Sequence, residues 1–183
     1  MKRLICFGDS ITANERSKDG SLRLTPRLQN ALKGWEIRNA GISGHNTRDA
    51  IARLNDDVLS YHPDLVTVLF GANDAASHKL VELEEYRSNL LQIVTSITPQ
   101  KTVLITPSPV DESKPMNRTN IVLKRYAEVA EDIAHLTGSQ FIDLFSHMIS
   151  YPDYPRFLSD GLHFTEPGYA LFANLLIENV NWN

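Results

Sequence analysis

Three shortages narrow what this 183-residue chain is able to do. Cysteine occurs once, at Cys6. A lone thiol makes no intrachain disulfide and no cysteine-cluster zinc site, and its neighbours Leu4, Ile5 and Phe7 mark it as a packing thiol. Long apolar runs are also missing. Basic Met1-Lys2-Arg3 is followed by Leu4-Ile5-Cys6-Phe7, but that run stops at Gly8-Asp9, too short for a secretory leader. No stretch approaches the roughly 20 apolar residues of a membrane span, so a soluble, cytoplasmic protein is expected. Positive charge is the third shortage: 18 Lys and Arg against 22 Asp and Glu leave a net charge of -4, with the cations scattered. A nucleic-acid partner would need a basic stripe to neutralise phosphates. The expected partner is a small, neutral or weakly polar molecule, with no nucleic acid, no membrane, and homo-oligomerisation left open.

The composition that remains is that of an ordinary globular protein, 42% hydrophobic and 22% charged, at a length suited to a single domain over residues 1–183. Short apolar runs alternate with stretches of helical period, which predicts an α/β fold with a parallel sheet covered on both faces. Five strands are expected: Leu4 to Phe7, Trp35 to Arg38, Leu65 to Phe70, Val103 to Ile105, and Phe141 to Ile142. The third is apolar at nearly every position, as a strand buried on both faces must be, and belongs at the sheet centre. A first helix is expected over residues 25 to 33. A second, with Thr47 as its N-cap, carries Ala50, Ile51, Leu54 and Val58 on one face. The third presents Leu83, Tyr86, Leu90, Val94 and Ile97, and the fourth Ile121, Tyr126, Val129, Ile133 and Leu136 before Gly138. A final helix follows Thr165-Glu166-Pro167, with Tyr169, Phe172, Leu175 and Leu176 inward.

In an open parallel sheet the loops leaving the carboxyl ends of the strands meet at one crevice. Those loops here are Gly8-Asp9-Ser10-Ile11-Thr12, Asn39-Ala40-Gly41-Ile42-Ser43-Gly44 and Gly71-Ala72-Asn73-Asp74, joined by a late Asp160-Gly161-Leu162-His163. Each alone is an ordinary set of turn residues. Together they fill every role in acyl transfer: a hydroxyl nucleophile, an imidazole base, an orienting carboxylate and donors for an oxyanion. Among six histidines, His163 follows a carboxylate by three residues in a glycine-containing turn, so Asp160 is placed to bond Nδ1 and leave Nε2 toward Ser10. His45 and His78 sit beside Gly44 and Asn73, as pocket-lining or merely solvated loop side chains. Asp9 and Asp74 suit turn stabilisation; as metal ligands with His163 they lack an H-x-x-x-H or comparable spacing.

The blocks GDSIT, NAGISG, GAND and DGLH, in that order, resemble the four signature blocks of the GDSL/SGNH hydrolases, from position 8 to position 163. The resemblance implies that Ser10 is the nucleophile, with Asp160 and His163 completing the triad. It makes the oxyanion donors the Ser10 N–H, the Gly44 N–H and the Asn73 side-chain amide. It also implies a three-layer α/β/α fold of flavodoxin-like character. Further similarity to isoamyl acetate-hydrolysing esterases and small bacterial acylhydrolases runs through Gly44-His45-Asn46-Thr47-Arg48, Leu83-Glu84-Glu85-Tyr86, Leu104-Ile105-Thr106-Pro107 and Leu158-Ser159-Asp160-Gly161-Leu162-His163, and implies short acyl groups. The chain departs from many members after the first block, where Ala13-Asn14 replaces a small residue plus glycine. It also lacks the G-x-S-x-G elbow of ordinary α/β hydrolases.

Two alternatives share these residues. A flavodoxin-like module would cradle the FMN phosphate with Ser10-Ile11-Thr12, but it leaves Asn73 and the Asp160/His163 pair without a role. A thioesterase or acyltransferase would keep the triad and change the acceptor. Because the chain itself supplies nucleophile, base and oxyanion donors, no metal or organic cofactor is expected. Ester hydrolysis is accordingly expected to survive prolonged EDTA treatment in full; loss of rate restored by a divalent ion would return Asp9 and Asp74 to the reaction as ligands.

Overall fold

The computed structural model describes residues 1–182. Among these, five parallel strands form one sheet: β1 (Lys2–Gly8), β2 (Trp35–Gly41), β3 (Leu65–Leu69), β4 (Thr102–Ile105) and β5 (Gln140–Ile142). Their order is β2-β1-β3-β4-β5. That is the flavodoxin-like order, whose switch point lies between β1 and β3. The helices are α1 (Leu24–Ala31), α2 (Thr47–Asp57), α3 (Leu83–Ile97), α4 (Asn120–Thr137), α5 (Leu144–Ile149) and α6 (Glu166–Asn179).

Alternation along the strands divides the interior into two cores. Ile5 and Phe7 of β1, Val66 and Val68 of β3, and Leu104 of β4 pack with α2, α3 and α4. Leu4, Cys6, Leu65, Leu69, Val103 and Ile105 point the other way, onto α1, α5 and α6. The sheet is thus the middle of three layers, and each aliphatic side chain it buries contributes about 1.5–3 kcal/mol. No helix among the described residues is long and apolar enough to cross a membrane.

The structure corrects the expected elements in several places. β2 continues through Asn39, Ala40 and Gly41, which read as loop residues, because their backbones pair in register with Cys6, Phe7 and Gly8. The N-cap of α2 is Asn46 rather than Thr47. Its side chain accepts from the N–H groups of Arg48 and Asp49 while the Asp49 side chain accepts from the Asn46 N–H, a capping box that leaves the Thr47 hydroxyl for use elsewhere. On α4, Ile121 and Leu136 are exposed, 79% and 70%. The buried stripe runs Leu123, Tyr126, Ala127, Val129, Ala130, Ile133 and Ala134, so Tyr126, Val129 and Ile133 lie inward as expected and alanines let the helix approach closely. The short α5 had no sequence expectation; six residues are too few to display a period. Asn14 adopts φ +65°, a left-handed conformation that asparagine tolerates.

Gly41 at the end of β2 is required by contact. A Cβ there would lie 2.3 Å from the Ala13 nitrogen and 2.6 Å from the Thr12 carbonyl carbon. The loop is pinned against it, since the Asn39 side chain donates to the Thr12 carbonyl at 2.9 Å and accepts from the Gly41 N–H at 2.9 Å. Gly41→Ala is therefore expected to destabilise the fold by about 1–3 kcal/mol, lowering Tm by several degrees. An unchanged melting curve would show that the loop after Ser10 yields freely.

Candidate active site

The site lies at the carboxyl ends of β1, β2 and β3, where polar groups leave an otherwise apolar sheet. Asp9 turns the chain immediately after β1. Its Oδ1 accepts from the Ile11 N–H at 2.9 Å, and its carbonyl accepts from the N–H groups of Thr12 and Ala13. This turn presents Ser10. Arg23 secures it from outside, donating Nη2 to the Ser10 carbonyl, with its guanidinium 4.9 Å from the centre of the Tyr169 ring. The Tyr169 hydroxyl in turn donates to the Ile11 carbonyl at 3.1 Å.

The second half arrives 150 residues later, in the loop before α6. An antiparallel bridge between Leu158 and Phe164 closes this loop. Asp160 organises its interior: Oδ1 accepts from the N–H groups of Leu162 and His163 at 3.0 and 2.8 Å, and Oδ2 lies 2.7 Å from His163 Nδ1. Burial pushes the Asp160 carboxyl up, but the hydrogen bonds from the His163 ring and the two backbone N–H groups outweigh it and hold the pKa at about 2. An ionised carboxylate only accepts, so Nδ1 donates to it, and in a neutral ring the lone pair is then on Nε2. Nε2 lies 3.0 Å from Ser10 Oγ. The sequence-expected trio is thus joined in one hydrogen-bonded chain, in which Ser10 can pass its proton to an imidazole of defined tautomer.

The donors named from the sequence stand on the neighbouring loops. Among the described residues neither the Ser10 N–H nor the Gly44 N–H meets a protein acceptor. Gly44 adopts φ +81°, the left-handed region that glycine enters without strain. One hydrogen of the Asn73 amide is committed, since Nδ2 donates to the His45 carbonyl at 2.9 Å; its second hydrogen remains. A cavity of about 540 Å³ opens beside Ser10 and His163, with Ser43, Arg23, Phe164 and Tyr169 in its walls. His45 and His78 are not in those walls: His45 Nδ1 meets Arg53, and His78 Nδ1 lies 2.8 Å from the Asn117 amide. Arg23 gave no signal in the sequence, and Tyr169 read only as an inward residue of the last helix. A hydrogen bond to a backbone carbonyl has no sequence motif.

Beneath the loops lie two buried carboxyls. Asp74 accepts the N–H and hydroxyl of Thr47 on Oδ1, while its buried Oδ2 has no protein partner. Burial raises the pKa of Asp74 to about 6. Asp9 is also raised to about 6, first by burial and further by the neighbouring Asp74, against the bond from Ile11 and the charges of His163 and Arg118.

A model of the GDSL-like lipase/acylhydrolase family matches residues 6–171. The human isoamyl acetate-hydrolyzing esterase 1 homolog is 34% identical over 199 residues, spanning 94% of this chain and 79% of that protein. An acetylxylan esterase from Geobacillus stearothermophilus is 30% identical, over 99% of this chain and 94% of that one. Among solved structures, a lipase/acylhydrolase from Enterococcus faecalis superposes with a TM-score of 0.90 at 34% identity, covering 97% of this chain and 94% of that chain.

The raised carboxyls define a pH test. In the unfolded chain an aspartate titrates near ~3.9, so between about pH 4 and 6 the folded chain holds the extra protons. Their contribution to stability is most favourable at the acid end, falls as pH rises through that window, and stays unfavourable above it. Asp9→Asn keeps the acceptor for Ile11 and removes the charge. Its stability relative to wild type is expected to improve from pH 4 to pH 7 by about 2–3 kcal/mol, read as a growing Tm difference. A difference that does not change with pH would show that charge burial at Asp9 is not the cost.

Proposed function

The chain belongs to the GDSL-like lipase/acylhydrolase family and is a carboxylic ester hydrolase; from that premise we propose that it is a serine esterase with Ser10 as nucleophile and short acyl esters as substrates. The observation that carries this reading is the continuous contact from Asp160 through His163 to Ser10 Oγ, 2.7 and 3.0 Å. Ser10 Oγ attacks the ester carbonyl carbon while its proton passes to His163 Nε2. Asp160 stabilises the imidazolium that forms and keeps Nδ1 protonated. The carbonyl oxygen becomes an oxyanion held by the N–H groups of Ser10 and Gly44 and the free hydrogen of the Asn73 amide. Collapse of the tetrahedral intermediate breaks the ester C–O bond, and the alcohol leaves with the proton from Nε2. Water, deprotonated by the same nitrogen, then attacks the acyl-enzyme; the bond from the acyl carbon to Ser10 Oγ breaks, Nε2 returns its proton to Oγ, and the acid is released.

Short acyl groups are supported by two arguments. The related human protein and the related Geobacillus enzyme carry names that refer to acetate esters. The loops over residues 75–80 and 111–118 are also bonded to each other, through the Ser77 N–H to the Asn117 carbonyl at 3.0 Å and the Asn117 amide to His78 at 2.8 Å. An acyl chain long enough to run between these loops would have to break that cross-link.

The reading is tested with esters of one alcohol and acyl lengths from two to eight carbons. The acetyl ester is expected to be turned over fastest, Ser10→Ala to abolish turnover, and an organophosphate to mark Ser10 in a peptide digest. Asn73→Ala is expected to reduce kcat by about 10²–10³ with KM little changed. Label on another residue would remove Ser10 from its role, faster turnover of the eight-carbon ester would remove the short-acyl preference, and near-normal kcat in Asn73→Ala would reduce Asn73 to a turn residue.

A further inference from the structure

We infer that Arg53, on α2, is a positioning residue for the oxyanion-binding loops, an inference that rests on the roles proposed above for Ser10, Gly44 and Asn73. Only 11% of its side chain is exposed, and its donors reach three separate segments. Nη2 donates to the Gly8 carbonyl at 2.9 Å, at the end of β1. Nη1 donates to the Ala40 carbonyl at 2.8 Å, near the end of β2, and to Asp57 Oδ2 at 2.9 Å on the next turn of its own helix. Nε donates to His45 Nδ1 at 3.1 Å. The guanidinium carbon lies 4.4 Å from the centre of the Phe7 ring, which fixes the plane of the fork.

Two of these contacts stand close to a proposed oxyanion donor. Gly8 is two residues before Ser10. His45 follows Gly44 directly, so holding its ring limits rotation of the loop that carries the Gly44 N–H. The His45 carbonyl receives the Asn73 amide at 2.9 Å, which ties the third donor to the same residue. The accepting Nδ1 also requires His45 to carry its proton on Nε2. The loop has other ties: the Gly44 carbonyl accepts from the exposed Lys79 at 2.8 Å, the Ile42 N–H reaches the Gly8 carbonyl at 3.0 Å, and the His45 N–H reaches the Ile42 carbonyl at 3.3 Å.

A helix that needed only to be fastened to the sheet would be served by the Asp57 pair and the ring contact. The bonds to Gly8 and His45 do something else: they lock the two oxyanion loops to each other. Lysine cannot substitute, because a point-like ammonium has no planar fork to span divergent acceptors. Precise placement matters because a misplacement of about 1 Å can cost on the order of 10² in rate.

The test uses the full chain and an acetyl ester, comparing wild type, Arg53→Met, Arg53→Lys, Asn73→Ala, the Arg53→Met/Asn73→Ala pair and Ser10→Ala. Arg53→Met is expected to lower kcat by about 10–10² while KM shifts by less than roughly 3-fold. Arg53→Lys should recover little of that loss. Once Asn73 is absent, the further loss from Arg53→Met should shrink to roughly 3-fold or less, since the two act through one hole. Near-normal kcat in folded Arg53→Met, or losses that multiply fully in the pair, would overturn the inference. If Arg53→Met does not fold, His45→Ala removes a single arm of the network and leaves the Gly8, Ala40, Asp57 and Phe7 contacts; a several-fold drop in kcat at unchanged KM is expected, and an unchanged kcat overturns the inference. Activity retained in Ser10→Ala would instead sink the underlying reading, whatever Arg53 does.

Discussion

The parallel register of β1 with its two neighbours is the constraint from which the rest of this molecule follows. Gly8 pairs with Gly41 on one side and with Leu69 on the other. Strands in one sheet lie about 4.8 Å apart, so the three loops that leave these ends begin side by side. From Leu4 to Phe7 of β1 and along β3 and β4 the strands are buried on both faces and apolar apart from Thr67 and Thr102, and a charged side chain has no place there. Polar chemistry is therefore confined to the strand ends. The gap between β1 and β3, where successive connections leave toward opposite faces of the sheet, is where those ends stand open.

Three aspartates at this place experience different surroundings and reach different states. Asp160 is largely exposed and receives three N–H donors, so its carboxyl is held near 2 and is ionised at any ordinary working pH. Asp9 and Asp74 are buried, with too few donors to compensate, and both rise to about 6. The charge that faces the imidazole thus has favourable partners, while the two beneath the loops are tolerated at a cost in stability. Such costs concentrate where a site must be shaped rather than merely packed.

Arginine recurs around the site in one manner. Arg23 donates to the carbonyl of Ser10, Arg53 to that of Gly8 and Arg118 to that of Ala72, so each of these carbonyls, in or beside a loop of the candidate site, is held by a guanidinium. A rigid, permanently charged fork suits that task, because its donors are fixed in direction and a buried carbonyl is a strong acceptor. Among the described residues Arg23 and Arg118 form no carboxylate pair. Arg23 faces a backbone carbonyl and the Tyr169 ring, and Arg118 the Ala72 carbonyl and the Asn117 amide oxygen, with Asp9 near enough to feel its charge.

The sequence by itself determined the α/β class, the five strands and the order of every helix but the short α5, and it singled out Ser10, Asp160 and His163 as one set, since these depend on local period and on short blocks whose residue types have few other uses together. Asp160 and His163 were legible as a pair because a three-residue separation in a turn brings carboxylate and imidazole together without help from the rest of the chain. Only the tertiary structure decided the extension of β2 into Asn39-Ala40-Gly41, since that depends on pairing with β1. The inward face of α4 likewise follows from what the sheet offers it, which is why Ile121 and Leu136 point outward despite their apolar character. Arg23 and Arg53 were invisible for the same reason: their partners are backbone carbonyls and ring nitrogens brought near by the fold, and a backbone carbonyl looks the same at every position in a sequence.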